Sequence, residues 1–276
     1  YIGFRPCERE RYLSMSTKIS HPLHVGDSEV RFYREHGYFI YEHPLFPQEK
    51  FRRLQGFFEG LLADLPEGNR PEAMDVPHFA HPELFEWLLA DEVLDFVEAF
   101  IGPDIVLWSS HFISKPPADG KRVPWHEDSA YWAPRLDKHE VLTVWLAIDD
   151  STRENGCMRV VSDTHHHGFS DYELVDAQSH VFSREIVSEQ VDQTRVVDLE
   201  LEAGQCHIHH SKTIHGSDAN TSDRRRCGYT MRYMPASVKV LSAGSHAKHE
   251  VYLARGQDRA DNQYGDPAVA FAPDKR

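Results

Sequence analysis

The chain has 276 residues, 40% of them hydrophobic, with 15 Phe, 11 Tyr and 5 Trp, enough for a substantial core in one large domain or two small ones. Thirty Lys and Arg against 44 Asp and Glu leave a formal charge of −14, which argues against a nucleic-acid or anionic-membrane surface. No apolar run reaches the roughly 18 residues of a membrane span. The opening residues lack a secretory pattern, and Cys7, Cys157, Cys206 and Cys227 show no C-x-x-C spacing, so reduced thiols and a cytoplasmic location are expected.

Residues 1–26 have no sustained periodicity; they are read as an irregular segment, with Met15 a candidate start and 1–14 given no function. Asp27 or Ser28 can cap a helix that Gly37 ends, and Tyr38–Tyr41 reads as a short strand. Pro47 opens a longer helix with Phe51, Leu54, Phe58, Leu61, Leu62 and Leu65 spaced mostly three or four apart. After a Pro-rich loop from Pro66 to Pro82, helical patterns resume over 83–89 and 93–101 and stop at Gly102-Pro103. Asp75–His78 in that loop reads as an entrance segment or a plain turn.

From Asp104 the pattern becomes β-rich. Strands are expected over 105–114, 141–148, 157–161, 196–201, 205–210 and 228–234, separated by turns such as Lys115–Gly120 and Glu154–Gly156. The 141–148 run is apolar on both faces and is expected at the centre of a sheet. Residues 162–194 are polar and His-rich and read as an irregular excursion; beyond about 240 the pattern weakens into a polar tail, 241–276. Many short strands argue for a sandwich or barrel rather than βαβ units. A single domain over 27–240 is expected, helical over 27–103 and β over 104–240.

The chemistry centres on Trp125–Trp132, which contains His126-x-Asp128. In an extended segment, side chains two apart share a face, roughly 6–7 Å apart at the backbone. An imidazole and a carboxylate there suit a first-row divalent metal, and a distant histidine would complete the three-ligand face of non-haem iron(II) oxygenases. Candidates are His165, His166, His167, His207, His209, His210 and His215. His215 is favoured because it lies between a strand and the Asp218–Asp223 loop. Eleven residues on, Arg226 opens the next strand. If the two strands are antiparallel neighbours, its guanidinium faces the metal and can hold the far carboxylate of a dicarboxylate. The His165–His167 run is read as a solvated cluster. At most one of His209 and His210 faces the pocket; His111, Lys115, Thr143, Tyr131 and Trp132 are flanking candidates.

His126-x-Asp128, His215-Gly216-Ser217 and Arg226 together resemble the phytanoyl-CoA dioxygenase family of iron(II)/2-oxoglutarate oxygenases, with support from Lys115-Pro116-Pro117, Tyr131, Trp145 and Asn155-Gly156-Cys157. The resemblance covers about residues 27–240. It implies a double-stranded β-helix, or jelly roll, with a cupin-like core and helices packed outside. It implies Fe(2+), 2-oxoglutarate and O2 as cofactors and co-substrates. His126, Asp128 and His215 match the family's metal ligands, Arg226 its 2-oxoglutarate anchor, and Ser217 and Trp145 positions lining the same pocket. Ser162-Asp163-Thr164-His165 departs from the Pro-Gly-Ser-His usual in the family. Asp128 occupies the position that related halogenases leave small, so the resemblance implies hydroxylation, and the segments Trp125–Trp132, Val141–Asp149 and Arg224–Tyr233 look most like bacterial members acting on small polar metabolites. Monomer and homodimer are both open, and no nucleic-acid or membrane partner is expected. Two other readings remain: a cupin-like metal enzyme without 2-oxoglutarate, and a non-catalytic jelly-roll binding module.

Overall fold

The structure is a computed structural model that describes residues 25–176, 178–241 and 249–271. Chain order begins with α1 (Asp27–His36), β1 (Tyr38–Tyr41), α2 (Gln48–Ala63), β2 (Met74–Asp75), α3 (Phe85–Leu88) and α4 (Asp91–Ile101). It continues through β3 (Ile105–Lys115), β4 (Val123–His126), α5 (Asp128–Trp132), β5 (Leu142–Ala147), β6 (Met158–Val161), β7 (Tyr172–Leu174) and β8 (Arg184–Ile186). It closes with β9 (Val196–Leu199), β10 (Cys206–His210), β11 (His215–Ser217), β12 (Arg226–Pro235) and β13 (Tyr252–Arg255).

The local chemistry of α1 differs from the expected cap. Asp27 is its first residue, and Glu29 reaches back to accept from the Gly26 N–H at 3.0 Å. Gly37 closes the helix with φ 78°, a left-handed conformation that glycine adopts without strain. A Cβ there would also come within 2.4 Å of His165 Nδ1 and 2.6 Å of Thr213 Oγ1.

Two sheets carry the β region. The larger has the order β1-β10-β5-β12-β3-β13, with β2 also paired to β3; the smaller has the order β4-β11-β6-β9. Side chains alternate across a strand, so each strand of the larger sheet serves two layers. Leu142, Val144 and Leu146 of β5, Cys206 and Ile208 of β10, and Cys227, Tyr229, Met231 and Tyr233 of β12 join the helices in one core with Leu54, Phe58, Leu88, Phe96 and Val97. The intervening residues face the smaller sheet. Trp145 and Ala147 pack there against Met158, Val160 and Leu199. The run over 141–148 is apolar apart from Thr143 because both faces of β5 are covered.

Three expectations need correction. The 162–194 excursion contains the β7–β8 hairpin, with Tyr172 opposite Ile186. Glu185 of that hairpin pairs with Arg122 and accepts from the Trp125 N–H at 3.1 Å, tying it to β4. The 241–276 tail supplies β13, whose Tyr252 pairs with Leu107 on the edge of the larger sheet; the rest of the tail at 242–248 and 272–276 lies outside the described residues, as does the segment 1–24. His215 and Arg226 are not on neighbouring strands: β11 pairs with β4 and β6, and β12 with β3 and β5. They belong to different sheets. No helix among the described residues is long and apolar enough to cross a membrane.

Candidate active site

His126 is the last residue of β4, and His215 the first of β11, paired with it directly in register. The two rings therefore lie side by side, centroids 4.1 Å apart. Asp128 is not on the strand as expected but opens the one-turn helix α5, where the chain bends after Glu127. The bend turns its carboxylate back onto the imidazoles: Oδ1 is 3.7 Å from His126 Nε2 and 4.0 Å from His215 Nε2. Donor atoms of the three residues lie within 4.8 Å of one another, and all three residues are buried. Glu127, between the ligand candidates, points away and is buried. Its carboxylate accepts from the Ser170 N–H, the Ser170 hydroxyl and the Tyr172 hydroxyl at 3.1, 2.8 and 2.7 Å.

The hydrogen bonds of the two imidazoles settle their tautomers. His126 Nδ1 is 2.8 Å from the Pro124 carbonyl and His215 Nδ1 is 2.9 Å from the Thr213 carbonyl. A carbonyl only accepts, so each Nδ1 carries the proton and each Nε2 turns a lone pair towards Asp128. Burial, and then the neighbouring His215, push His126 down to about 3; burial, and then His209, push His215 down to about 4. Both are neutral at pH 7. Burial alone would raise the Asp128 carboxyl, but Arg232 above all, with His209, His215 and His126, holds it well below the usual carboxylate range. Two neutral Nε2 donors and a carboxylate, all buried, make a donor set that fits a divalent first-row cation.

Across the gap between the sheets, Arg226 is 2% exposed. Its Nε donates to the Gly156 carbonyl at 3.1 Å, Nη1 to the Ile113 carbonyl at 3.2 Å and Nη2 to Ser217 Oγ at 3.5 Å. Lys115 Nζ donates to the same Ser217 hydroxyl at 2.6 Å. Burial, and then Arg226, lower the Lys115 ammonium well below its usual value, and burial lowers Arg226 to about 10. Among the described residues, none of the hydrogen-bond partners of either cation is a carboxylate, so the pair forms a buried cradle suited to an anion. Trp145 forms its wall: the Arg226 Cζ lies 5.4 Å from the indole centroid, and His207 stacks on the indole at 5.3 Å with an 8° interplanar angle. Space for that indole comes from Gly228, where a Cβ would sit 2.0 Å from Trp145 Cζ2.

One cavity of about 590 Å3, open mouth included, joins the triad to the cradle. The structure thus brings together His126, Asp128, His215, Arg226, Ser217 and Trp145. Among the flanking candidates, His209 faces inward with Nε2 3.8 Å from Asp128 Oδ2, while His210 turns towards Glu140 at 3.5 Å. His111 lines the cavity, and Lys115 reaches the cradle. His165 and His166 lie on a turn by α1, with His165 Nε2 3.1 Å from the Arg34 carbonyl. His78 is buried on Ser110 Oγ at 2.7 Å. Sequence reasoning missed Arg232 and Phe182, both of which line the cavity. Arg232 had a signal: it stands an even six residues after Arg226 on one strand, hence on the same face. Phe182 had none, since its place depends on how the β7–β8 hairpin folds over the site.

Known proteins resemble this chain in sequence and in fold. The curated relatives include a probable alpha-ketoglutarate-dependent hypophosphite dioxygenase of Stutzerimonas stutzeri, 28% identical over 184 residues, covering 66% of this chain and 63% of that protein. Peroxisomal phytanoyl-CoA dioxygenase of Bos taurus is 30% identical over 174 residues, covering 61% and 51% respectively. The match thus spans between half and two thirds of the length of these two relatives. Among solved structures, the non-heme monooxygenase ThoJ in its apo form superposes with a TM-score of 0.68 at 26% identity, covering 90% of this chain and 87% of that one. The family model Phytanoyl-CoA dioxygenase (PhyH) matches residues 33–228, a span that contains the triad, Ser217 and Arg226. By that match, and with those residues converging in space, the chain belongs to the phytanoyl-CoA dioxygenase family.

Proposed function

We propose that this chain is a non-haem iron(II)- and 2-oxoglutarate-dependent dioxygenase that hydroxylates an unactivated C–H bond of a small polar metabolite, with release of succinate and carbon dioxide. The observation that carries the reading is the convergence of His126 Nε2, His215 Nε2 and Asp128 Oδ1 beside a buried cationic cradle. The strand orders of the two sheets support a double-stranded β-helix, with the triad at the ends of β4 and β11 and the anchor at the start of β12. His126, Asp128 and His215 would hold the metal through their two Nε2 atoms and one carboxylate. Arg226 and Ser217, backed by Lys115, would receive the far carboxylate of 2-oxoglutarate, with Trp145 as the wall beside Arg226. Bound iron(II), with 2-oxoglutarate and O2, supplies the oxidising chemistry. The chain's part is to bind, to orient and to exclude water: the ligand residues are all less than 9% exposed, and Phe182 covers His126 with ring centroids 4.9 Å apart. The relative whose name gives hypophosphite as its substrate supports a small polar substrate here.

The test is conversion of 2-oxoglutarate to succinate by iron-loaded protein, scored over a panel of candidate metabolites. Iron-dependent succinate formation that a panel member stimulates, and that Asp128→Ala abolishes, is the expected result. Succinate formation unaffected by removing iron or by Asp128→Ala would overturn the reading.

A further inference from the structure

The cavity holds a cationic side chain, that of Arg232, which the roles above leave unused. Arg232 is 7% exposed and projects from β12 on the same face as Arg226. Its Nε is buried without a hydrogen-bond partner among the described residues. The guanidinium lies over Trp132, Cζ 5.2 Å from the ring centroid. Asp128 Oδ2 approaches Nε to 3.5 Å, an ion-pair separation. With a divalent cation on the triad, that carboxylate is committed to the metal, and one negative charge cannot neutralise both.

Among the described residues, Asp128 supplies the only carboxylate paired with Arg232. Glu72 lines the same cavity, but Arg70 holds its carboxylate at 3.0 and 2.7 Å and the Lys121 N–H donates to it at 3.2 Å. His111, His209 and Thr230, which also line the cavity, carry no negative charge. A buried guanidinium without a dedicated counter-ion is costly, so a fold that retains one in a cavity provides for an anion to arrive there. Val181 and Phe182 of the excursion also line the cavity and are apolar.

We propose that the primary substrate carries a compact oxyanion, a carboxylate or a phosphonate, which the Arg232 guanidinium receives, with the adjoining carbons against Val181 and Phe182. The inference rests on the metal reading under Proposed function. A planar fork of N–H donors matches either oxyanion through two parallel hydrogen bonds. Arg226, occupied by 2-oxoglutarate, is not available to it.

Anaerobic protein loaded with iron(II) and 2-oxoglutarate is titrated by calorimetry with methylphosphonate, acetate and uncharged acetamide, and the visible iron–2-oxoglutarate absorption is recorded in parallel. Saturable binding of methylphosphonate or acetate, and none of acetamide, is expected; which of the two binds more tightly assigns the head group. Arg232→Met should weaken that binding roughly tenfold to a hundredfold, the scale of a lost charge-assisted contact, while the visible band still forms. Arg232→Lys, which keeps the charge without the fork, should lose less and serves if the methionine variant does not fold. Absence of oxyanion binding to wild-type protein that shows the band would overturn the inference alone. So would unchanged oxyanion binding in a folded variant. Loss of the band in Arg232→Met would instead make Arg232 a positioning residue for Asp128, which also overturns it. Absence of the band in wild-type protein overturns the metal reading and this inference with it.

Discussion

Gly228→Ala tests the co-substrate wall without touching a polar group. A Cβ at 228 would stand 2.0 Å from Cζ2, 2.2 Å from Cε2 and 2.6 Å from Cη2 of Trp145. No real Cβ contact is that short, and the indole cannot bend away as a flexible chain end would. Trp145 is 2% exposed and held between His207, stacked at 5.3 Å, and Arg226. Moving it means moving them. Overpacking of this kind costs about 1–3 kcal/mol. For a chain of this size that lowers the melting temperature by roughly 2–12 °C. Because the displaced indole flanks Arg226, the affinity for 2-oxoglutarate should fall more than the affinity for iron. Scanning calorimetry of the metal-free protein and a 2-oxoglutarate titration of the iron-loaded one read the two effects separately. A variant with wild-type melting temperature and wild-type 2-oxoglutarate affinity would show that Trp145 does not rest on Gly228.

Arg226→Lys keeps a cation but loses the fork that donates to Ser217, Gly156 and Ile113, and should weaken 2-oxoglutarate roughly tenfold or more in the same titration, with iron retained. Metal-free protein should lose stability as pH falls from 7 to 5.5. His126 and His215, lowered to about 3 and 4 in the fold, stay neutral there while the unfolded chain takes up protons below about 6.5, at a cost of about 1 kcal/mol per group over the first pH unit below that value. The Asp128 carboxyl, held low in the fold, acts in the same sense only below about pH 4. Urea midpoints at the two pH values check this, and equal midpoints would contradict the burial of neutral imidazoles. Tyr172→Phe removes the hydroxyl that donates to Glu127 at 2.7 Å, so the β7–β8 hairpin should loosen by roughly 1.5–3 kcal/mol, seen as faster amide exchange over 170–187 with little change at β5.

The sequence carried the strands of the larger sheet because their two-sided burial leaves a strong local signal. The run at 141–148 and the alternation of Arg226, Gly228, Thr230 and Arg232 with Cys227, Tyr229, Met231 and Tyr233 are both visible in the one-dimensional pattern. His126, Asp128 and His215 were findable because their residue types are demanding and their spacing resembles a family. What escaped depended on long-range pairing. Register between β4 and β11, which sets the two imidazoles side by side, is written in neither segment alone. The placement of His215 and Arg226 on opposite sheets follows from the crossing connections of the fold, and near-sequence reasoning put them on neighbouring strands instead. The β7–β8 hairpin is short, polar and partly exposed, so its hydrophobic pattern is too weak to read. Arg232 was passed over because a cation on a strand normally faces water, and only the two-sheet architecture turns this one inward.

The most direct measurement is the anaerobic titration of metal-free protein with iron(II) in the presence of 2-oxoglutarate, followed by visible absorption. A weak metal-to-ligand band that saturates at one iron per chain, and is lost in His126→Ala and His215→Ala, is the result expected from imidazoles that share one ion across β4 and β11. Protein that binds iron yet shows no band, or a band that survives both substitutions, would contradict it.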